Sequence, residues 1–110
     1  MAEKTLRARF GMVFTKQELE RMVFIFAGNG EVTVQADVHG MTCQEARAFL
    51  KNLIAVIRYS FRLVVIHGFH RGTCIRDMVR SEKLSDKVVG TKCFLENDGI
   101  TELDVRALCV

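Results

Sequence analysis

Between Glu31 and His39 apolar and polar residues alternate without a break, Val32, Val34, Ala36 and Val38 against Glu31, Thr33, Gln35, Asp37 and His39. A period of two puts the sets on opposite faces, so the segment predicts a β-strand with one wet face. From Ala46 the spacing changes. Ala46, Phe49, Leu50, Leu53, Ile54 and Ile57 form the stripe of an amphipathic helix and leave Arg47, Lys51 and Arg58 exposed. Leu63-Val64-Val65-Ile66 is a continuous apolar run ending in His67-Gly68, which reads as a central parallel strand buried on both faces. Ile75, Met78 and Val79 then mark the inner side of a helix from about Cys74 to Lys83.

Start and stop signals frame these periods. Thr15-Lys16-Gln17-Glu18 and Thr42-Cys43-Gln44-Glu45 both have the T-x-x-E form of a capping box, in which the hydroxyl and the carboxylate satisfy orphan backbone N–H groups. The first helix is expected from about Lys16 to Ala27, closed by Gly28-Asn29-Gly30. With the residues before it, it makes an N-terminal extension over residues 1–30, ahead of a domain over 31–110. Val88 to Leu95 and Ile100 to Ala107 read as strands joined through Glu96-Asn97-Asp98-Gly99, whose Asp-Gly is a hairpin signal. The domain is thus β-α-β-α-β-β after an extra N-terminal helix. Strand-helix-strand units make parallel neighbours and the wet strand face needs one helical layer, so the predicted fold is a two-layer α/β sandwich on a four-stranded mixed sheet.

Composition narrows the class. A chain of 110 residues, 49% hydrophobic and 26% charged, has the size and balance of one globular domain, and it holds no proline or Ser/Gly linker. Met22 to Gly28, the longest apolar stretch near the start, is too short to cross a membrane and makes a poor signal peptide; a cytoplasmic protein is expected. Cys43, Cys74, Cys93 and Cys109 form no C-x-x-C, so spacing implies neither a zinc ribbon nor a redox pair, and no structural metal is expected. The net charge of +3 is unevenly spread: residues 59–92 carry seven Lys/Arg against three acids, residues 93–110 one against four. A basic middle suits a face that attracts polyanions.

All three histidines fall at the ends of the two central strands. His39-Gly40 and His67-Gly68 lie one strand-helix-strand period apart, so parallel pairing brings them to the carboxyl edge of the sheet, where open α/β sheets bind ligands. Helix N-termini at that edge suit phosphate. Asp37 leaves the strand on the same face as His39 and is placed to orient its imidazole. Cys43 and Cys74 near helix starts read as structural thiols. A phosphatase loop would need Cys where Gly68 stands, and no P-loop is present.

Asp37-Val38-His39-Gly40-Met41-Thr42, a helix with Glu45-Ala46, and then Val65-Ile66-His67-Gly68 with a basic loop and Arg76 resemble the Smr domain, the small MutS-related module. The resemblance spans about residues 32 to 106. It rests on two short signatures, L-D-x-H and H-G-x-G. Here Ala36 replaces the leucine, and His70 stands where the second loop glycine belongs, with Gly72 two residues on. The resemblance implies a domain that binds DNA or RNA and, in some members, nicks it, with Asp37 and His39 at the cleavage site and the loop from His67 on the nucleic acid. Gly40, Gly68, His70, Arg71, Gly72, Thr73 and Arg76 are the binding candidates, with Arg80 nearby, and Phe69 is placed to stack on a base. Cleavage of RNA without metal would use His39 on the 2′-OH, His67 on the leaving oxygen and Arg71 on the phosphorane. Cleavage of DNA would use one Mg²⁺ or Mn²⁺ on Asp37. The alternative is a non-catalytic nucleic-acid-binding or protein-interaction module. A protein partner or a second copy would meet the apolar run Met22, Val23, Phe24, Ile25 and Phe26 on the first helix.

Overall fold

The computed structural model describes residues 10–68 and 73–107. A helical turn at residues 10–13 (α1) and α2 (Lys16–Glu20) precede β1 (Met22–Phe26), β2 (Val32–Asp37), α3 (Cys43–Val56), β3 (Phe61–Ile66), α4 (Cys74–Ser81), β4 (Val88–Phe94) and β5 (Asn97–Val105). The strands make one mixed sheet in the order β1-β2-β3-β5-β4. Among the described residues only β2 and β3 pair in parallel, as a strand-helix-strand unit requires.

The sheet has five strands, not the expected four, because the helix expected over Lys16–Ala27 ends at Glu20. The Thr15 capping box forms, but Met22–Phe26 runs antiparallel to β2, with Met22 opposite Ala36 and Phe26 opposite Val32. Aromatic and β-branched residues favour extended backbone, and pairing with β2 outweighs a helix too short to persist on propensity. Gly28-Asn29-Gly30 is therefore a hairpin turn rather than a helix end. Gly30 takes φ 88°, and Asn29 Oδ1 accepts from the Glu31 N–H at 3.0 Å. Phe14 meets Phe49 edge-on at 5.5 Å, and Phe10, Phe14 and Met22 belong to the same buried cluster as Phe49 and Val65, so the two sides of residue 30 share one core.

That core lies on one face of the sheet. Val34, Ala36, Val38, Leu63, Val65, Leu103 and Val105 point into it, against the α3 stripe from Ala46 to Ile57 and Met78 and Val79 of α4. Each fully buried Leu or Ile contributes about 1.5–3 kcal/mol, which explains why this stripe and not helix propensity holds α3 in place. On the other face Thr33, Gln35, Val64, Ile66, Glu102 and Asp104 are half-buried and Arg62 is exposed. The run Leu63–Ile66 is thus buried on one face rather than two, because among the described residues no helix covers the second.

The terminal hairpin also departs from expectation. Its turn is Leu95-Glu96, with Phe94 opposite Asn97, and Asp98-Gly99 lies inside β5 at a register shift. The Gly99 carbonyl accepts from the backbone N–H groups of His67 (2.9 Å) and Gly68 (3.1 Å), while Asp98 binds two arginines of α4. These tertiary partners outweigh the local Asp-Gly preference. No helix among the described residues is long and apolar enough to cross a membrane.

Candidate functional site

The parallel register sets Asp37 beside Ile66, so the chain leaves β2 and β3 at the same edge. Both exits turn through glycine: Gly40 has φ 81° and Gly68 φ 64°, a region where a Cβ is penalised. A Cβ on Gly68 would stand 3.6 Å from that of His39, an ordinary contact, so the dihedral and not the space demands glycine. Between these turns and the starts of α3 and α4 opens a cavity of about 400 Å³, lined by His39, Gly40, Met41, Thr42, Cys43, His67, Gly68, Cys74, Ile75 and Arg76. Two strands and two helices thus bring together five residues singled out from the sequence: His39, Gly40, His67, Gly68 and Arg76.

Asp37 Oδ1 accepts from the backbone N–H of His39 at 3.1 Å and is hydrogen-bonded to Nδ1 of the same residue. A carboxylate only accepts, so this contact assigns a proton to Nδ1 and leaves Nε2 unengaged by Asp37. The His39 side chain is 65% exposed. Arg21, not among the residues that the sequence singles out, fixes the turn: Nη1 donates to the carbonyls of Asp37 (3.1 Å) and His39 (3.0 Å). The Arg21 carbonyl accepts in return from the Asp37 N–H at 2.8 Å. Nothing local marks Arg21, because its role exists only once β1 pairs with β2.

His67 is arranged differently. Only 5% exposed, it donates from Nδ1 to the Gly68 carbonyl at 3.0 Å and accepts at Nε2 from the Thr101 hydroxyl at 2.9 Å. The Thr101 oxygen accepts in turn from Arg80 Nε at 2.9 Å, which directs its own proton to the imidazole. Burial pushes the His67 pKa down, against the pull of the Gly68 carbonyl, and the Arg80 charge lowers it further. The ring is neutral with both nitrogens engaged. The leaving-oxygen acid expected of His67 would need a protonated nitrogen facing substrate, and this arrangement supplies none.

Arg76 reaches the cavity wall but is not a free cation. Its Nη1 donates to Asp98, and its Nε approaches Asp77 at 3.3 Å. Arg80 Nη1 donates to the second Asp98 oxygen at 2.9 Å. Hydrogen bonds from Arg80 and then Arg76 hold the Asp98 carboxyl below the usual carboxylate range. Thr73, outside the lining, donates its hydroxyl to Asp77 at 2.9 Å.

The two helix starts are also unequal. At α3 the Thr42 hydroxyl takes the Glu45 N–H at 3.0 Å, and the Glu45 carboxylate sits on the Thr42 N–H at 3.0 Å, adding negative charge. At α4 Thr73 makes no side-chain cap, and the carboxylate of the first turn, Asp77, accepts from the Thr73 hydroxyl instead of a backbone N–H. The two starts thus differ in capping and not in first-turn charge, and an anion at α4, where each favourable charge–dipole contact adds about 0.3–1 kcal/mol, would meet no side-chain cap. Arg47 of α3 forms a two-point pair with Glu82 at 2.8 and 3.0 Å and is committed within the fold.

His70, Arg71 and Gly72, with Phe69, lie outside the described residues. A divalent cation fits the rest poorly. It would rest on Asp37, one oxygen of which already serves His39, and no group of three or more His, Cys, Asp or Glu among the described residues converges on a metal-sized point. In comparisons with known proteins, no protein-family model and no curated protein matches this chain.

Proposed function

We propose that the chain is an Smr-like nucleic-acid-binding domain, a two-layer sandwich with one added edge strand, in which His39 is the base of a metal-independent cut in RNA. The observation that carries this reading is the Asp37–His39 pair, whose exposed imidazole lines a cavity shared with the start of α4 and with Arg76. The phosphate lies at the α4 amides, His39 takes the proton of a neighbouring 2′-OH as its oxygen attacks phosphorus, Asp37 stabilises the imidazolium that forms, and the 5′-oxygen leaves with a proton from water. His67 acts as a positioning residue that shapes the Gly68 turn. Incubation of labelled RNA and DNA with the protein and with His39→Ala, each with and without EDTA, tests this. Cleavage of RNA alone, indifferent to EDTA and lost in His39→Ala, is expected. Cleavage that stops in EDTA moves the reading to one Mg²⁺ or Mn²⁺ on Asp37.

A second reading has its own support. With His67 neutral and both nitrogens engaged, the described residues supply no general acid opposite His39, and Asp98 holds two of the arginines that would meet phosphate. A site of that kind binds nucleic acid, or a protein partner, without cutting. Retention of RNA with no cleavage by either protein favours it.

A further inference from the structure

Cys43 is the first residue of α3 and Cys74 the first of α4, so each follows one of the two His-Gly turns. Separated by 31 positions, they are neighbours in space: the Cys43 thiol donates to the Cys74 carbonyl at 3.4 Å, and both residues line the cavity. The neighbouring Cys74 side chain, with burial, pushes the Cys43 thiol pKa up. Cys43 is half-buried and Cys74 exposed, while Cys93 sits apart on edge strand β4. We propose that Cys43 and Cys74 form a thiol–disulfide exchange site that takes a low-molecular-weight disulfide and closes into an internal disulfide at the cavity mouth.

The exchange balances in two steps. The Cys74 thiolate attacks one sulfur of the small disulfide, giving a mixed disulfide and releasing one equivalent of small thiol. Cys43, after losing its proton to solvent, attacks the Cys74 sulfur. The Cys43–Cys74 bond forms, the mixed disulfide breaks, and a second small thiol leaves. The protein is oxidised by two electrons and the small disulfide reduced by the same two. The order follows from exposure: solvent reaches Cys74, and Cys43 is held beside it as the resolving group.

The test uses the full chain carrying Cys93→Ser and Cys109→Ser, treated with oxidised glutathione. The expected product is a monomer lighter by about 2 Da, with no free thiol and no glutathione, restored by dithiothreitol. Adding Cys43→Ser should leave glutathione fixed on Cys74. A persistent mixed disulfide with Cys43 present, or a disulfide-linked dimer, overturns the proposal. So does a lower Tm for the oxidised form, since a disulfide that suits the native backbone constrains the unfolded chain without straining the fold. If the serine background does not fold, peptide mapping of the oxidised natural chain takes its place: a Cys43–Cys74 link supports the proposal and any other link overturns it.

Discussion

The hydroxyl of Thr101 stands 2.9 Å from Nε2 of His67 and holds the imidazole by the nitrogen a substrate would need. Two histidines that look alike in the sequence are thereby separated. His39 keeps an exposed ring, whereas His67 becomes part of the frame that joins β3, β5 and α4 through Arg80. Thr101→Val keeps the shape but strands His67 Nε2 and Arg80 Nε. A loss of about 1–3 kcal/mol in urea unfolding is expected, and an unchanged midpoint would show that the contact carries no stability.

His67 also sets a pH dependence. Its folded pKa lies below the ordinary value of 6.5, so between the two values the unfolded chain binds the extra proton. This contribution to stability is complete above that ordinary value and declines as pH falls toward the folded pKa. Urea titrations of the natural chain and His67→Gln at a series of pH values should show a shallower acid decline in the variant. Parallel curves would place the titration elsewhere.

Asp37→Asn tests the orientation of His39 without removing its ring. The amide can donate to Nδ1, which moves the imidazole proton to Nε2 and silences the base. RNA cleavage is expected to fall by about 10²–10⁴-fold. Stability should stay within about 0.5 kcal/mol, because both side chains lie at the surface. A rate equal to that of the natural chain removes His39 from the reaction.

Asp98 pairs with both Arg76 and Arg80 and cancels one of their two charges, so it opposes any polyanion at the cavity. Asp98→Asn should strengthen RNA binding and steepen the slope of log affinity against log salt by about one phosphate contact, whereas Arg76→Ala should flatten it by about one. If neither slope moves, the phosphates are met by other cations.

Lys87 donates to the carbonyls of Ile54 (2.7 Å) and Ile57 (2.5 Å) at the end of α3, and burial pushes its pKa down. It acts as a distant C-cap, answering helix carbonyls that have no partner further along the chain. Lys87→Met should destabilise by about 1–2 kcal/mol in denaturant unfolding. A wild-type midpoint would mean that water serves these carbonyls equally well.

Local physics was enough for much of this protein. The alternation from Glu31 to His39, the α3 stripe, both capping boxes and the parallel pairing that unites His39 with His67 follow from periodicity and hydrogen-bonding rules acting over a few residues. Tertiary structure decided the rest. Met22–Phe26 satisfies a helix stripe or a strand, and only β2, offering backbone partners and a shared core, makes it a strand. The Asp98-Gly99 turn signal yields to two arginines and two backbone donors that arrive from α4 and the end of β3. The roles of Arg21, Thr101 and Asp98, and the meeting of Cys43 with Cys74, depend on neighbours distant in sequence. A histidine's type and place on a strand are written locally, but its protonation state is set by burial and by whichever groups fold against it.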